Sequence, residues 1–337
     1  MRRRTFAANA LIALLFTIPF SGKAATRKVF PSAGGEGIQQ ALDEVGVGGQ
    51  VRLKQGIYRI HQPIILRQNG QTLRGAGPET ILLLANNADC PVVILGDPMD
   101  KIKGPTRDVR LCDLHADGNR THQQREFWRL LRDGRVNNNG VVVWDVDGAV
   151  VERVICSSCR SGGLVSSARA RRLTVRDFTA YNNQFDGLAC YGTARCRFSG
   201  LNLYRNLSAG ISADLGFNHN LIEDAVLTDN DVGIFMRQSR HNVFNKVMIR
   251  HSHHDGVFMA QAGDKTRFGW RLTPGTQCIG NIFNKLTVSD CGGTAFQINN
   301  DSCTNNAING GQFLHNAQGL CHCGTNLVTV NALTLSP

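Results

Sequence analysis

A glycine returns along this chain with a period near 23 residues, at Gly140, Gly163, Gly187, Gly210, Gly233 and Gly256, and again at Gly293 and Gly319 after an insertion. Apolar residues follow it, as in Gly187-Leu188, Gly210-Ile211, Gly233-Ile234 and Gly256-Val257. Four residues before it stands a short polar or hydrogen-bonding side chain: Asn183, Asn206, Asp229, Ser252 or His315. A second asparagine recurs in another phase, at Asn220, Asn242, Asn245, Asn281 and Asn284, with a fainter copy at Asn326. A period of this size means stacked supersecondary units. Each unit holds short Val/Ile/Leu strands broken by Asn, Asp and Gly, with no room for a helix. A coil of this length, at about 3.3 Å per strand residue, closes into a small triangle, and stacking pairs every strand in parallel with its counterpart in the next coil. The expected fold is all-β: a right-handed parallel β-helix, the hand following the rule for parallel crossovers. The glycine is expected to take the positive φ that a sharp corner demands, and the recurring Asn, Asp and Ser to form a hydrogen-bonded ladder along the stack.

Residues one and three after each glycine are apolar and should point inwards, so residues two and four should face out on one exposed parallel sheet. Read coil by coil, the second position is Val165, Ala189, Ser212, Phe235 and Phe258, and the fourth is Ser167, Tyr191, Asp214, Arg237 and Ala260. With coils about 4.8 Å apart, Tyr191, Asp214 and Arg237 make a column roughly 10 Å long. Phe235 and Phe258 stand beside it, and aromatic faces suit sugar rings. The corner His251-Ser252-His253-His254-Asp255 brings imidazoles to the edge of the same groove. Asp186 and Asp255, each just before its glycine, read as turn formers.

Two insertions, near residues 119–139 and 262–278, interrupt the period and should wall the groove. The first, from His122 to Arg135, reads as a basic amphipathic helix bearing Phe127, Trp128, Leu130 and Leu131. The second carries Lys265, Arg267, Trp270 and Arg271.

The first 24 residues have an Arg2-Arg3-Arg4 start, an apolar run from Leu11 to Phe20 and a small-residue end, the pattern of a signal peptide, secretory or twin-arginine. No other stretch is long and apolar enough to span a bilayer. Without that segment 33 basic residues face 26 acidic ones, a net charge of +7. A basic protein in the periplasm or outside the cell is biased towards acidic polysaccharide, and basic patches interleaved with aromatics, as in nucleic-acid binders, are absent. A monomer is expected. Eleven cysteines include an odd one; Cys156 with Cys159, or Cys303 with Cys321 or Cys323, could pair in an oxidising compartment. Cys321-His322-Cys323 lacks a second ligand pair, and strand alternation points His322 away from its neighbours, so neither metal nor cofactor is expected.

Residues 25–95 read as a cap with the first coils, ahead of the repeats of 96–337. A short helix over Gly37–Val45 should cover the open apolar end of the stack. It is followed by Gln50-Val51-Arg52-Leu53, Gly56-Ile57-Tyr58-Arg59-Ile60, Pro63-Ile64-Ile65-Leu66 and Thr72-Leu73-Arg74-Gly75-Ala76-Gly77. This order resembles the N-terminal part of the pectate-lyase-like superfamily of β-helix proteins, which includes polygalacturonase-like hydrolases, uronate lyases and mannuronan C5-epimerases. Asp117-Gly118-Asn119-Arg120, Val151-Glu152-Arg153-Val154 and Leu173-Thr174-Val175-Arg176-Asp177 are closest in layout to the epimerases' catalytic modules. The chain departs from them where it matters: the family's catalytic tyrosine, aspartate and histidine fall on Gly162, Val165 and Ser167, none of which can move a proton.

The resemblance and the charge together imply an exported enzyme of lyase- or epimerase-type chemistry on a uronate-containing polysaccharide. Such chemistry begins by removing the proton at C5. Arg237 is expected to stabilise the carboxylate's developing charge, with His254, or Tyr191 if Arg237 lowers its pKa, as base, and Asp214 orienting either. Phe235, Phe258, Trp128, Arg267, Trp270 and Arg271 are the expected substrate contacts. A glycoside hydrolase in the same groove and a catalytically silent polysaccharide-binding β-helix are the alternatives. Clustering of Tyr191, Asp214, Arg237 and His254 in one cleft is the geometry that would favour an enzyme.

Overall fold

The computed structural model describes residues 24–98, 104–131, 134–266, 269–322 and 328–336. Two parallel sheets run the length of a solenoid of about twelve turns. The long sheet stacks Thr26–Val29, Gln50–Leu53, Thr72–Arg74, Arg110–Asp117, Val150–Ser157, Thr174–Tyr181, Arg197–Tyr204, Leu221–Thr228, Val243–Arg250, Ile282–Ser289, Asn306–Leu314 and Val328–Ser336. The short sheet stacks Ile64–Leu66, Val93–Leu95, Val141–Trp144, Leu164–Ser167, Leu188–Tyr191, Ala209–Asp214, Val232–Arg237, Val257–Ala260, Thr294–Ile298 and Gln318–His322. Short bridges along the third corner, such as Phe217–Asn218 with Ser239–Arg240, close the triangle.

The inward phase is as expected. Leu164, Leu188, Ile211, Ile234 and Val257 are in register down the short sheet and fully or almost fully buried. The long sheet answers with Val175, Phe198, Ile222, Phe244 and Phe283. Phe244 stacks on Phe283 at 4.6 Å, and Phe296 meets Phe283 edge-on at 5.1 Å.

The recurring glycine has a different reason from the one expected. None of the six from Gly140 to Gly256 has a positive φ. A Cβ on Gly163 would lie 2.6 Å from the carbonyl oxygen of Gly187, and one on Gly233 would lie 2.4 Å from that of Gly256. Close approach of one coil to the next, not backbone handedness, excludes a side chain here. Left-handed backbone is carried instead by Asp113, Arg153, Asp177, Gly200, Asp224, Lys246 and Lys285, each bending its long-sheet strand at the fourth residue.

The asparagine ladders form, with one correction. Asn183, Asn206 and Asn230 bond one to the next at 2.8 and 2.9 Å, and each amide also meets backbone in a neighbouring coil. The third rung is therefore Asn230 rather than Asp229, because that coil reaches its glycine one residue sooner. Similarly Asn316, not His315, bonds to the backbone of Val288 and Cys291. A second buried ladder joins Asn220, Asn242, Asn281 and Asn306, and a third, at the surface, joins Asn245, Asn284, Asn309 and Asn331. Asn326 lies outside the described residues.

The capping helix runs from Gly34 to Val45, three residues longer than expected, and buries Ile38, Ala41, Leu42 and Val45 over the first coils. Gln71 donates to the carbonyl of Leu42 at the helix's end, and Gln39 bonds to both backbone groups of Ile65. Cys156, Cys159, Cys303 and Cys321 are free thiols, so the expected pairings among them are absent; Cys323 lies outside the described residues. They act as small apolar filler, and Cys303 faces Cys278, whose N–H lies 3.4 Å from its sulfur. Among the described residues no helix is long and apolar enough to cross a membrane.

Candidate functional site

The first insertion is not a helix. After a short 3-10 turn at Arg120–His122, Phe127–Leu131 and Gly134–Asn137 form an antiparallel hairpin. Its apolar residues satisfy a strand as well as a helix, and Trp128 and Val136 have a surface to cover: Ile94, Val142 and Trp144 on the outer face of the short sheet. That contact seats the hairpin against the solenoid. Phe127 and Leu130 remain exposed, with the Arg135 guanidinium 4.9 Å from the Phe127 ring centre. The second insertion is also a hairpin, Gly263–Thr266 with Gly269–Leu272. Trp270 and Arg271 lie on its second strand, and Arg267 lies outside the described residues.

The first hairpin overhangs a cleft of about 330 Å³, lined by Glu126, Arg135, Asn137 and Asn139 on one side. Gly162, Val165, Ser167, Phe185, Asp186, Ala189 and Tyr191 complete it. Gly162, Val165 and Ser167 are the positions at which the epimerase resemblance places its three catalysts. Small residues there leave the floor open: a Cβ on Gly162 would come within 3.0 Å of the Asp186 carbonyl.

Asp186 is the residue that sequence reasoning passed over. Its carboxylate accepts from the Ala209 N–H at 3.0 Å, the turn-forming role expected of it. Asp255 does the same for Thr294. Asp186, however, is buried at the cleft, and burial pushes its pKa up to about 6, against hydrogen bonds from Ser208 and Ala209 that favour the charged form. No sequence signal separates the two aspartates; the neighbouring coils that bury one of them do.

Tyr191 lines the same cleft and hydrogen-bonds Ser212. Burial, then the nearby Asp186 carboxylate, raise its pKa well above the ordinary phenol value. The pKa is raised rather than lowered, contrary to the effect expected of Arg237, so the phenol stays protonated at neutral pH.

The column is in register, Tyr191 opposite Asp214 and Arg237 opposite Ala260. Asp214 is not an exposed acid: its side chain is 4% accessible and receives Nε of Arg237 at 3.0 Å as well as its Nη2. Arg237 is thus committed to a buried partner. Phe235 and Phe258 stack at 5.6 Å and 12°, and Arg237 lies over the Phe235 ring. Their faces are turned to each other and to the guanidinium, leaving edges rather than faces for a sugar.

His254 stands apart from the other three. Its Nδ1 lies 2.7 Å from Asp231, and its side chain is 71% exposed. Asp231 precedes the strand Val232–Arg237, so the whole strand, about 16 Å at 3.3 Å per residue, separates His254 from Arg237. Of the four expected catalytic residues, Tyr191, Asp214 and Arg237 are brought together and His254 is not.

A family profile described as a right-handed β-helix region matches residues 131–269. No curated protein matches the sequence. Among solved structures, the A-module of a mannuronan C-5 epimerase of Azotobacter vinelandii is 18% identical with a TM-score of 0.57, over 90% of this chain and 95% of that one. An alginate lyase of Paenibacillus sp. is 11% identical with a TM-score of 0.61, over 92% of this chain and all of that one. A polygalacturonase of Erwinia carotovora is 13% identical with a TM-score of 0.59, over 91% and 96%. At these identities the likeness is one of architecture: the chain has a right-handed parallel β-helix fold, as those structures do.

Proposed function

We propose that the protein is a polysaccharide-acting enzyme that removes the C5 proton of a uronate unit bound in the cleft beneath the first hairpin. One observation carries this reading: an aspartate whose pKa lies near 6 and a tyrosine that stays protonated line the same cleft. A base is most effective when its pKa lies near the working pH. Above about pH 6 Asp186 is ionised and accepts the C5 proton. As the C4–C5 double bond forms, the glycosidic C4–O bond breaks and the Tyr191 hydroxyl protonates the leaving oxygen, giving a lyase. Return of a proton to the opposite face of C5, with the glycosidic C4–O bond intact, gives an epimerase. Arg135, exposed at the cleft wall, is the cation nearest to hand for the uronate carboxylate, because Arg237 is already held by Asp214. Its planar donor fork matches a carboxylate in two places. The column of Tyr191, Asp214 and Arg237 then forms the end wall of the site. With the leader-like first 24 residues, the reading places the protein outside the cytoplasm, where such polymers occur.

A hydrolase is the second reading, favoured by Glu126 facing the same cleft as Asp186 from the hairpin, since glycoside hydrolysis uses two carboxyl groups across the scissile bond. Incubation with a panel of acidic polysaccharides separates the readings. Ultraviolet absorbance of an unsaturated uronate with new reducing ends identifies a lyase; reducing ends alone identify a hydrolase. Exchange of the C5 hydrogen with solvent and neither signal identifies an epimerase. Binding with none of the three sinks the enzymatic reading.

A further inference from the structure

The corner that follows the short sheet carries a ridge of positive charge beside the cleft. Asp147 receives Nε of Arg172 at 2.6 Å. Its carboxyl is held below the usual range first by that hydrogen bond and also by the charges of Arg107 and Arg171, so three guanidiniums act on one carboxylate. Asp147 and Arg171 are bridged in parallel, and Arg171 is bridged in turn to Ala194 in the next coil, beside Arg195. Arg171 and Arg195 are exposed, and neither makes a side-chain hydrogen bond or salt bridge among the described residues. The ridge starts just past the cleft, in the corners that follow Ser167 and Tyr191, both of which line it; because Arg171 pairs with Ala194, Arg195 stands one residue past Arg171 in the next coil. Successive members are therefore about one coil, or 4.8 Å, apart along the axis. Asp145 and Asp147 at this corner are matched by Arg169 and Arg172, and the surplus guanidiniums of Arg171 and Arg195 beside a binding cleft raise the local concentration of an oppositely charged ligand.

We propose that this ridge is a rail for the part of an acidic polysaccharide that extends beyond the cleft, with Arg171 and Arg195 pairing with its carboxylates. The inference rests on the reading of the cleft as a polysaccharide site and adds to it a preference for long, anionic chains. Charge complementarity selects the occupant: neutral polymers gain nothing from unpaired guanidiniums, whereas a polyuronate presents one carboxylate per sugar.

The test uses the whole protein, sodium polygalacturonate and sodium alginate as probes, each as polymer and as short oligomers, and a double charge reversal, Arg171→Glu with Arg195→Glu. The control reverses Arg52 and Arg59, exposed at the capped end, and so changes net charge equally. Ridge reversal is expected to weaken polymer binding about tenfold or more, raising KM with kcat unchanged and flattening the salt dependence. Binding and turnover of short oligomers should stay as in the parent. Arg171→Gln with Arg195→Gln should give a smaller loss in the same direction, which guards against misfolding of the reversed protein. If the parent binds polymer but the ridge variant is unaffected, or the control loses as much, the ridge is not a rail and the reading of the cleft survives. Competition by a neutral glucan or by duplex DNA as effective as that by polyuronate also overturns the rail. If the parent binds neither polymer nor oligomer, the reading of the cleft itself falls.

Discussion

The short sheet carries two neighbouring stretches built on one backbone plan, and only one of them is open. In the coils of Leu164–Ser167 and Leu188–Tyr191 the outward positions are Val165, Ser167, Ala189 and Tyr191, and an overhanging hairpin turns the floor of small side chains beside Tyr191 into a cleft. One to three coils further on, the same positions hold Asp214, Phe235, Arg237 and Phe258, which fill their space with an ion pair and a ring stack. The comparison separates two uses of polar residues on a solenoid face. Asp186 has a raised pKa because burial opposes its charge and no cation offsets it. Asp214, equally buried, is neutralised by Arg237 and becomes structure. Burial alone therefore does not make a candidate catalytic acid; burial without a counter-charge, at a cavity, is what the proposal rests on.

The sharpest way to break this contrast is to remove the acid. Asp186→Asn keeps the volume and the acceptor for the Ala209 N–H while removing the base. Turnover should fall about 10²–10⁴-fold, the usual worth of a positioned acid or base, with substrate binding retained. His254→Ala, at the same corner of the short sheet but three coils further along the stack, should leave turnover within about twofold, as a surface group outside the cleft would. Loss of activity in the histidine variant with normal activity in the asparagine one would move the site three coils along the stack.

A second prediction concerns stability and pH. The pKa of Asp186 is raised in the folded protein, from 3.8 to about 6. The folded state therefore binds the proton more tightly than the unfolded chain does, and stability falls as pH rises from about 4 to about 6. The loss is on the order of 3 kcal/mol for a shift of this size. Denaturant midpoints of the parent against Asp186→Asn should diverge across that window, the variant becoming relatively more stable above pH 6. Parallel curves would mean that the carboxyl is not held uncharged.

What could be read beforehand was whatever the repeat states many times over. The inward phase of Leu188, Ile211, Ile234 and Val257 recurs in every coil, so one misjudged residue cannot shift it. What escaped depends on contacts between coils. Asp186 and Asp255 precede their glycines alike and bond to backbone alike, and only the surrounding chain distinguishes them. The segment around Phe127, Trp128, Leu130 and Leu131 fits helix and strand spacing equally. Asp133-Gly134 is a hairpin-turn pair, the one local signal that favoured the observed form. The positive φ assigned to the recurring glycine belongs to Asp, Arg, Lys and Gly200, because the recurring glycine positions are constrained by the approach of the next coil rather than by their own backbone.

The filled stretch offers the third prediction. Arg237 is about one-third exposed, yet its partner is not, so Arg237→Ala leaves a desolvated carboxylate without a counter-charge. Breaking a fully buried pair costs about 3–5 kcal/mol; discounted for the exposed side of Arg237, the cost should be about 2–3 kcal/mol. Equilibrium unfolding measures it, and the double variant with Asp214→Asn should recover part of the loss. An unchanged melting temperature would mean that Asp214 is solvated.

The smallest expected effect tests whether the ring stack is structure or binding surface. Phe235 and Phe258 meet face to face, so little ring face is left for a ligand. Phe258→Leu keeps an apolar side chain in the same position of its coil and removes only the ring–ring interaction. That interaction is worth about 0.5–1.5 kcal/mol beyond the area buried, and a loss of this size should appear in unfolding. Turnover of short oligomers, which occupy the open coils below, should not change. If KM for short oligomers rises severalfold while stability is unaltered, the ring edges touch the sugar. The site would then extend up the sheet into the stretch described here as filled.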